Sequence, residues 1–167
     1  MERRRRSGRG GRARVFLAGR AMTMKRREIE ELLARLLEER GIPWVREQGL
    51  IRFRLRRKGA EWELNCRCQD GLVECYARYP FSISNRAEAL RRCNEINLQT
   101  ARGTALLPPD GRPVIRAVAG IGDIYDAAER VERALDDASR LLLRFWGSLQ
   151  QAGDNQPTVT SRANARR

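Results

Sequence analysis

From Leu50 to Arg56 every second residue is apolar, with Ile51, Phe53 and Leu55 alternating with Arg52, Arg54 and Arg56. That period of two is the pattern of a strand buried on one face. Lys58-Gly59 supplies a two-residue hairpin loop, which pairs Arg57 with Ala60. Arg56 then falls opposite Glu61, Leu55 opposite Trp62, Arg54 opposite Glu63 and Phe53 opposite Leu64. Asp70-Gly71 closes a second hairpin, which sets Arg67 against Glu74, Glu63 against Arg78, Cys66 against Cys75 and Leu64 against Ala77. Opposite charges meet on one face and apolar groups on the other, and a one-residue slip would spoil both. The stretch 50–79 is therefore predicted to be a three-stranded antiparallel meander with one buried face.

On either side the period lengthens to that of a helix. Ile29, Leu32, Leu33, Leu36 and Leu37 make an apolar stripe over about residues 24–40, closed by Gly41 and Pro43. Lys25, Arg26 and Arg27 stand at the wrong end for the helix dipole, so packing has to override them. Residues 44–48 offer a short edge strand ahead of the meander. Beyond Pro80, Asn85 and Glu88 have capping-box spacing and open a second helix over about 86–100, with Ala89, Cys93, Ile96 and Thr100 on one side. Residues 104–107 and 113–119 flank the Pro109-Asp110-Gly111 turn and form a second hairpin. A third helix runs from near Asp123 to about Leu149, with a stripe of Ala128, Val131, Leu135, Ala138, Leu142, Phe145 and Leu149. The expected fold is α+β, in the order α-β-β-β-α-β-β-α. An antiparallel sheet of about five strands carries three helices on its apolar face.

Charge changes this picture only at the ends. The net charge is +13, but residues 1–27 hold eleven basic groups against Glu2 alone, while residues 28–152 hold 20 basic against 19 acidic groups. The folded part is thus nearly neutral. Residues 1–23 read as a disordered Arg-rich tail, 24–151 as the domain, and 152–167 as a polar, disordered tail. Met22 and Met24 precede the first patterned segment, so the tail is also expected as a product of start-site choice. Arg3, Arg4, Arg5, Arg6, Arg9, Arg12 and Arg14 are the residues through which a nucleic acid could be held. No stretch is long and apolar enough to span a bilayer, which points to a cytoplasmic protein with reduced cysteines and no membrane contact.

Candidate chemistry is sparse. The chain has no histidine, which removes imidazole acid–base chemistry and Ser–His or Cys–His activation. No catalytic residue, cofactor or metal site is assigned, and the protein is expected not to be an enzyme. Cys66, Cys68, Cys75 and Cys93 all fall on inward positions. Mid-strand thiols without a ligand loop read as small buried hydrophobes rather than a tetrahedral metal site. The Arg52, Arg54, Arg56 stripe reads as a charge-paired outer face against Glu61 and Glu63, with phosphate binding as the competing use. Trp62 falls on the apolar face and reads as core. Gly120-Ile-Gly122 lacks the third glycine and the parallel setting of a phosphate loop. Asn94 and Asn97 are poor helix formers inside a helix, and are expected either to bond to the following hairpin or to contact a ligand. Leu141, Leu142, Leu143, Phe145 and Trp146 exceed what one stripe needs, so part of this helix end is expected to be exposed in a monomer. Leu141, Phe145 and Trp146 are therefore the expected protein-binding residues, in a homodimer or with another partner.

The run Cys93-Asn94-Glu95-Ile96-Asn97, the strand from Thr104 to Leu107, the Pro-Asp-Gly turn and the strand from Val114 to Val118 resemble the YbjN family of candidate sensory transduction regulators. The long helix ending in Leu143-Arg144-Phe145-Trp146 fits as well, and the resemblance extends from Met24 to Leu149. It implies a fold similar to type III secretion chaperones, which are small dimeric helix–sheet proteins, and it implies no catalytic residues. Chaperones of that shape are typically acidic, whereas this core is nearly neutral, a departure that argues against a secreted effector as partner. The function so implied is a regulatory or chaperone-like domain that binds a protein partner. A nucleic-acid-associated protein using its Arg-rich end is the alternative.

Overall fold

The meander forms in the register that its charges and apolar groups demand. The computed structural model describes residues 23–154. Strands β1 (Trp44–Glu47), β2 (Leu50–Arg57), β3 (Ala60–Gln69) and β4 (Leu72–Arg78) follow helix α1 (Arg26–Glu39). Arg54 pairs with Glu63 and Leu55 with Trp62, while Cys66 pairs with Cys75 and Glu63 with Arg78. Lys58 and Gly59 both take positive φ, 52° and 80°, the twist-compatible turn that two-residue hairpins favour. Gln48 and Gly49 repeat the geometry, at 51° and 75°, and tie β1 to β2.

Helix α2 (Arg86–Gln99) then leads to β5 (Thr104–Leu106), β6 (Val114–Gly120) and helix α3 (Ala127–Asp154). The sheet therefore has six strands, in the order β1-β2-β3-β4-β6-β5. The sixth is β1, at one edge. Strand β6 inserts beside β4, with Tyr76 opposite Arg116 and Ala77 opposite Ile115. Helices α1 and α3 cover the inner face, whereas α2 packs against β5 and α3 at the far edge. Three helices spread over one face, as the amphipathic stripes imply, thus becomes two on the face and one along its border.

Ile51, Phe53, Leu64, Val73, Ala77 and Ile115 meet Leu33, Leu37, Val131 and Leu142 in the core. Each fully buried aliphatic side chain contributes roughly 1.5–3 kcal/mol. Helix α3 starts at Ala127, later than expected. Asp123 holds the turn before it by accepting the backbone N–H of Tyr125 at 2.9 Å. The buried position of the first turn is Ala127, and Ala128 is exposed. The helix also continues through Asp154, and Ala152 is buried, so residues 152–154 extend the domain rather than the polar tail.

Candidate functional site

The period of two in β2, β3 and β4 turns Arg52, Arg54, Glu61, Glu63, Asn65, Arg67, Tyr76 and Arg78 away from the helices. Cross-strand register does not by itself decide which charges touch. Arg54 approaches Glu61 at 3.7 Å rather than Glu63, and Arg56 bonds Glu61 at 2.8 Å. Arg52 pairs with Glu47 of β1 at 2.9 Å, and Arg78 reaches Asp110 of the distant turn. Glu63 is left to accept a hydrogen bond from the Asn65 amide at 2.9 Å. The paired stripe is thus diagonal, and it draws on partners outside the meander.

Two hollows of about 410 and 300 Å³ lie on this outer face. They share Arg52, Glu63 and Arg78, so they form one trough. One end adds Arg54, Glu61 and Arg112 together with Trp62, Tyr79 and Pro80. The other adds Leu50, Tyr76, Leu106, Pro108 and Val114. The charge-paired stripe forms, but it does not extend over the whole outer face. Strands β5 and β6 place Leu106, Val114 and Val118 on the outer face beside Arg116, with Leu106 and Val118 exposed and Val114 buried. Inside the trough the Arg52 Nε, Arg78 Nε and Asn65 Oδ1 atoms are buried and make no hydrogen bond among the described residues. Buried polar atoms left unpaired are costly and uncommon. Beside the trough, Glu74 is buried and bonded to the Arg116 guanidinium. Burial pushes the Glu74 carboxyl up, but the Arg116 hydrogen bonds and charge outweigh it and hold the group below its ordinary range.

The β5 edge has a specific cover. Asn97 on α2 donates its amide to the Ala105 carbonyl at 3.1 Å and accepts the Ala105 N–H at 2.6 Å. One side chain thereby replaces a neighbouring strand. Of the two asparagines singled out by their poor helix propensity, Asn97 bonds to the hairpin and Asn94 is exposed. The β5 edge is therefore closed to an added strand at Ala105. Strand β1 is the edge without such a cover.

The four cysteines are all buried and free. Cys66 and Cys75 lie 3.7 Å apart, as their register requires. Cys68 interacts electrostatically with Glu30, Cys75, Arg26 and Arg46, and Cys93 with Tyr79. No group of three metal-ligating side chains occurs among the described residues. The hydrogen bond to Cys75 and burial raise the Cys66 thiol well above its ordinary value. Burial pushes Cys68 up to about 12 and also raises Cys93.

The end of α3 is less exposed than its composition implies. Phe145 and Leu142 belong to the core, and Leu141, Leu143 and Trp146 pack against it. The Trp146 ring sits 5.5 Å from Tyr79 and 5.6 Å from Phe81, so it covers the chain where it leaves β4, an interior strand. The exposed large apolar groups are elsewhere, with Leu98 89%, Ile124 72% and Tyr125 95% exposed. Arg3, Arg4, Arg5, Arg6, Arg9, Arg12 and Arg14 lie outside the described residues.

Taken with its topology, this is an α+β helix-on-sheet domain with an arginine-rich, ion-paired and partly apolar trough on the open face of the sheet. Its fold is YbjN-like. The crystal structure of YbjN, a candidate transcription regulator from E. coli, matches it with a TM-score of 0.54 and 15% sequence identity, over 71% of this chain and 92% of that one. At that identity the likeness is one of fold. No family model matches the sequence, and no curated protein does.

Proposed function

We propose that this domain is a non-enzymatic regulatory or chaperone-like module that binds a protein partner on the outer face of its sheet. The observation that carries the reading is the trough itself. It places unpaired donor atoms of Arg52 and Arg78 and an unpaired acceptor of Asn65 beside the exposed Leu106 and the half-buried Leu50 and Pro108. A partner there gains hydrogen bonds that the free domain lacks, and it covers apolar surface at the same time. The YbjN-like fold supports a regulatory role, since YbjN is described as a candidate transcription regulator. Buried cysteines with raised pKa values and the lack of histidine support a non-enzymatic one. Cytoplasmic location and assembly as a homodimer are part of the same proposal.

Photo-reactive residues placed at Arg54 or Leu106, and separately at Arg133 on α3, test it in cells that express the chain. Cross-links to a protein are expected from the sheet positions. Cross-links from Arg133 alone would overturn the sheet face as the binding surface, and sedimentation of the purified chain tests the dimer. A second reading, nucleic-acid association, is supported by the eight arginines among residues 1–22.

A further inference from the structure

Strand β1 forms the edge of the sheet opposite β5, and Val45, Arg46 and Glu47 are exposed on it. Glu47 and Leu50 flank the two-residue Gln48-Gly49 loop and bond to each other through the backbone. Hydrogen-bonded pairs alternate along an antiparallel ladder, so Glu47 and Val45 direct their N–H and C=O groups to β2. Trp44 and Arg46 direct theirs to the open edge. Side chains alternate as well. Trp44 and Arg46 share the inner face with Phe53 and Ile51, and Val45 and Glu47 share the outer face with Arg52 and Leu50.

These two alternations leave few ways for an identical strand to pair antiparallel with β1. A two-fold axis normal to the sheet keeps both helix layers on one side, so inner positions must oppose inner positions. Setting Arg46 opposite Arg46 brings like charges together and puts Trp44 opposite Gln48, which has left the strand at φ 51°. Setting Trp44 opposite Trp44 puts Arg46 against Ile42, whose N–H is already given to the Leu37 carbonyl at 2.9 Å. Setting Trp44 opposite Arg46 has neither fault. Two such pairs form, each exchanging both N–H···O bonds. Between them Val45, 58% exposed in the single chain, meets Val45 of the second copy. The two Glu47 residues then stand about 14 Å apart along the strands and do not repel closely.

We infer that two copies of this chain join antiparallel through β1, with Trp44 of each opposite Arg46 of the other and Val45 opposite Val45. The interface so defined rests on the homodimer proposed above and specifies how it forms. Charge on an edge strand ordinarily resists pairing, but Arg46 is neutralised by Glu30 of α1 at 3.3 Å. The register also places its guanidinium beside the Trp44 ring of the other copy, a favourable contact. Ile42, Trp44 and Leu55 pack on the core and stay half-buried beside this edge, so apolar surface is covered on the inner side too. The outer faces of the two sheets lie side by side, which leaves both troughs open. An edge of four residues buries less than a standard interface, so dimerisation is concentration-dependent.

Sedimentation velocity of the full chain at rising concentration should show a monomer–dimer equilibrium. Val45→Lys, at an exposed position, should weaken it roughly tenfold or more by setting like charges opposite each other. Arg46→Pro removes an outward N–H, a change that an edge strand tolerates, and should weaken it to the same degree. Cysteine cross-linking reads the register. Opposed residues of a non-hydrogen-bonded pair have Cα atoms about 4.5 Å apart, within disulfide reach. Oxidation of Val45→Cys with diamide should give a covalent dimer on a non-reducing denaturing gel. Glu47→Cys should not, nor should the wild type, whose cysteines are buried. Deleting residues 1–22 should leave the dimer in place, and its loss would hand the interface to that segment and overturn the inference. A wild type that stays monomeric at every concentration would remove the interface and the homodimer together. A dimer that survives Val45→Lys and Arg46→Pro, with no cross-link from Val45→Cys, would overturn the β1 interface and leave the homodimer standing. A cross-link from Glu47→Cys in place of Val45→Cys would overturn the register.

Discussion

Asp70, in the turn between β3 and β4, accepts the backbone N–H of Arg26 at 2.8 Å and so caps a helix 44 residues earlier in the chain. Its carboxylate also bonds the Lys25 ammonium at 3.3 Å. The neighbouring Gly71, at φ 70°, donates to the Met24 carbonyl at 2.8 Å and accepts from Ile121 at 2.7 Å. Glu28 adds an acceptor for the Lys25 N–H at 2.7 Å. The three basic residues that oppose the α1 dipole are thus offset by carboxylates held at its first turn. One hairpin turn locks the start of α1 to the end of β6.

Asp70→Asn should lower the thermal midpoint at neutral pH. The backbone hydrogen bond from Arg26, and then the Lys25 ammonium, hold the Asp70 carboxyl below its ordinary value. A depressed folded value means stabilisation that is full above the unfolded pKa of about 3.9 and is lost as pH falls through the folded one. The gap between wild type and variant should therefore close below about pH 4. Thermal melts across the acid range check this, and a gap that persists at low pH would contradict the cap.

Asn97→Ala should cost about 1–3 kcal/mol, the range for leaving buried groups unpaired. It should also expose the Ala105 N–H and C=O at a sheet edge, which invites strand pairing between molecules. Denaturant unfolding reads the first effect and light scattering at rising concentration reads the second. Asn97→Asp keeps an acceptor for the Ala105 N–H but sets a carboxylate against the Ala105 carbonyl, so it should not rescue.

Trp146→Ala should destabilise by roughly 2–4 kcal/mol, somewhat less than truncation of a fully buried tryptophan. The ring is half-buried against Tyr79 and Phe81. Tyr79→Phe removes the hydroxyl that donates to the Leu142 carbonyl at 2.7 Å, and should cost about 1 kcal/mol. If Trp146 anchors a dimer instead, sedimentation of Trp146→Ala will shift to the monomer at concentrations where the wild type does not.

The cysteines should react slowly with thiol reagents until the chain unfolds. The folded pKa values of Cys66, Cys68 and Cys93 are raised, by the Cys75 hydrogen bond and burial at Cys66 and by burial at Cys68 and Cys93. Raised thiol values add stability below the unfolded pKa of about 8.5, and that part is lost as pH climbs toward the folded values. Stability should accordingly decline above about pH 8.5, and more gently in Cys68→Ala. Elemental analysis should find no stoichiometric metal, and one ion per chain would reverse the reading of the cluster.

If the Arg-rich end binds nucleic acid, affinity should fall steeply with salt through counterion release. Deleting residues 1–22 removes eight arginines and Glu2, a net loss of seven charges from +13, and should abolish most binding. Unchanged binding in filter or anisotropy assays would exclude the tail.

The meander was legible because its information is local. Lys58-Gly59 and Asp70-Gly71 set the turns, and strict alternation of Arg with Ile, Phe and Leu leaves one register that buries the apolar set. The same locality revealed the helix stripes, since burial along α1, α2 and α3 follows a 3.6-residue period. It failed at element ends such as Ala127, where a turn bond from Asp123 decides the start, whereas the short edge strand expected over residues 44–48 forms as β1.

Three features depended on tertiary structure. Strand β6 joins β4 across the length of α2, and no alternation pattern within either strand specifies that neighbour. The trough exists because this pairing brings Leu106, Pro108 and Arg112 beside Arg52 and Arg78; sequence shows only that such residues face outward. Asn97 was identifiable as misplaced in a helix, but its use as a substitute strand required α2 to lie along β5. Periodicity determines which face each residue takes, because backbone geometry enforces it within a few residues. Contacts between faces far apart in the chain follow from packing the whole core, where long-range burial outweighs any local preference.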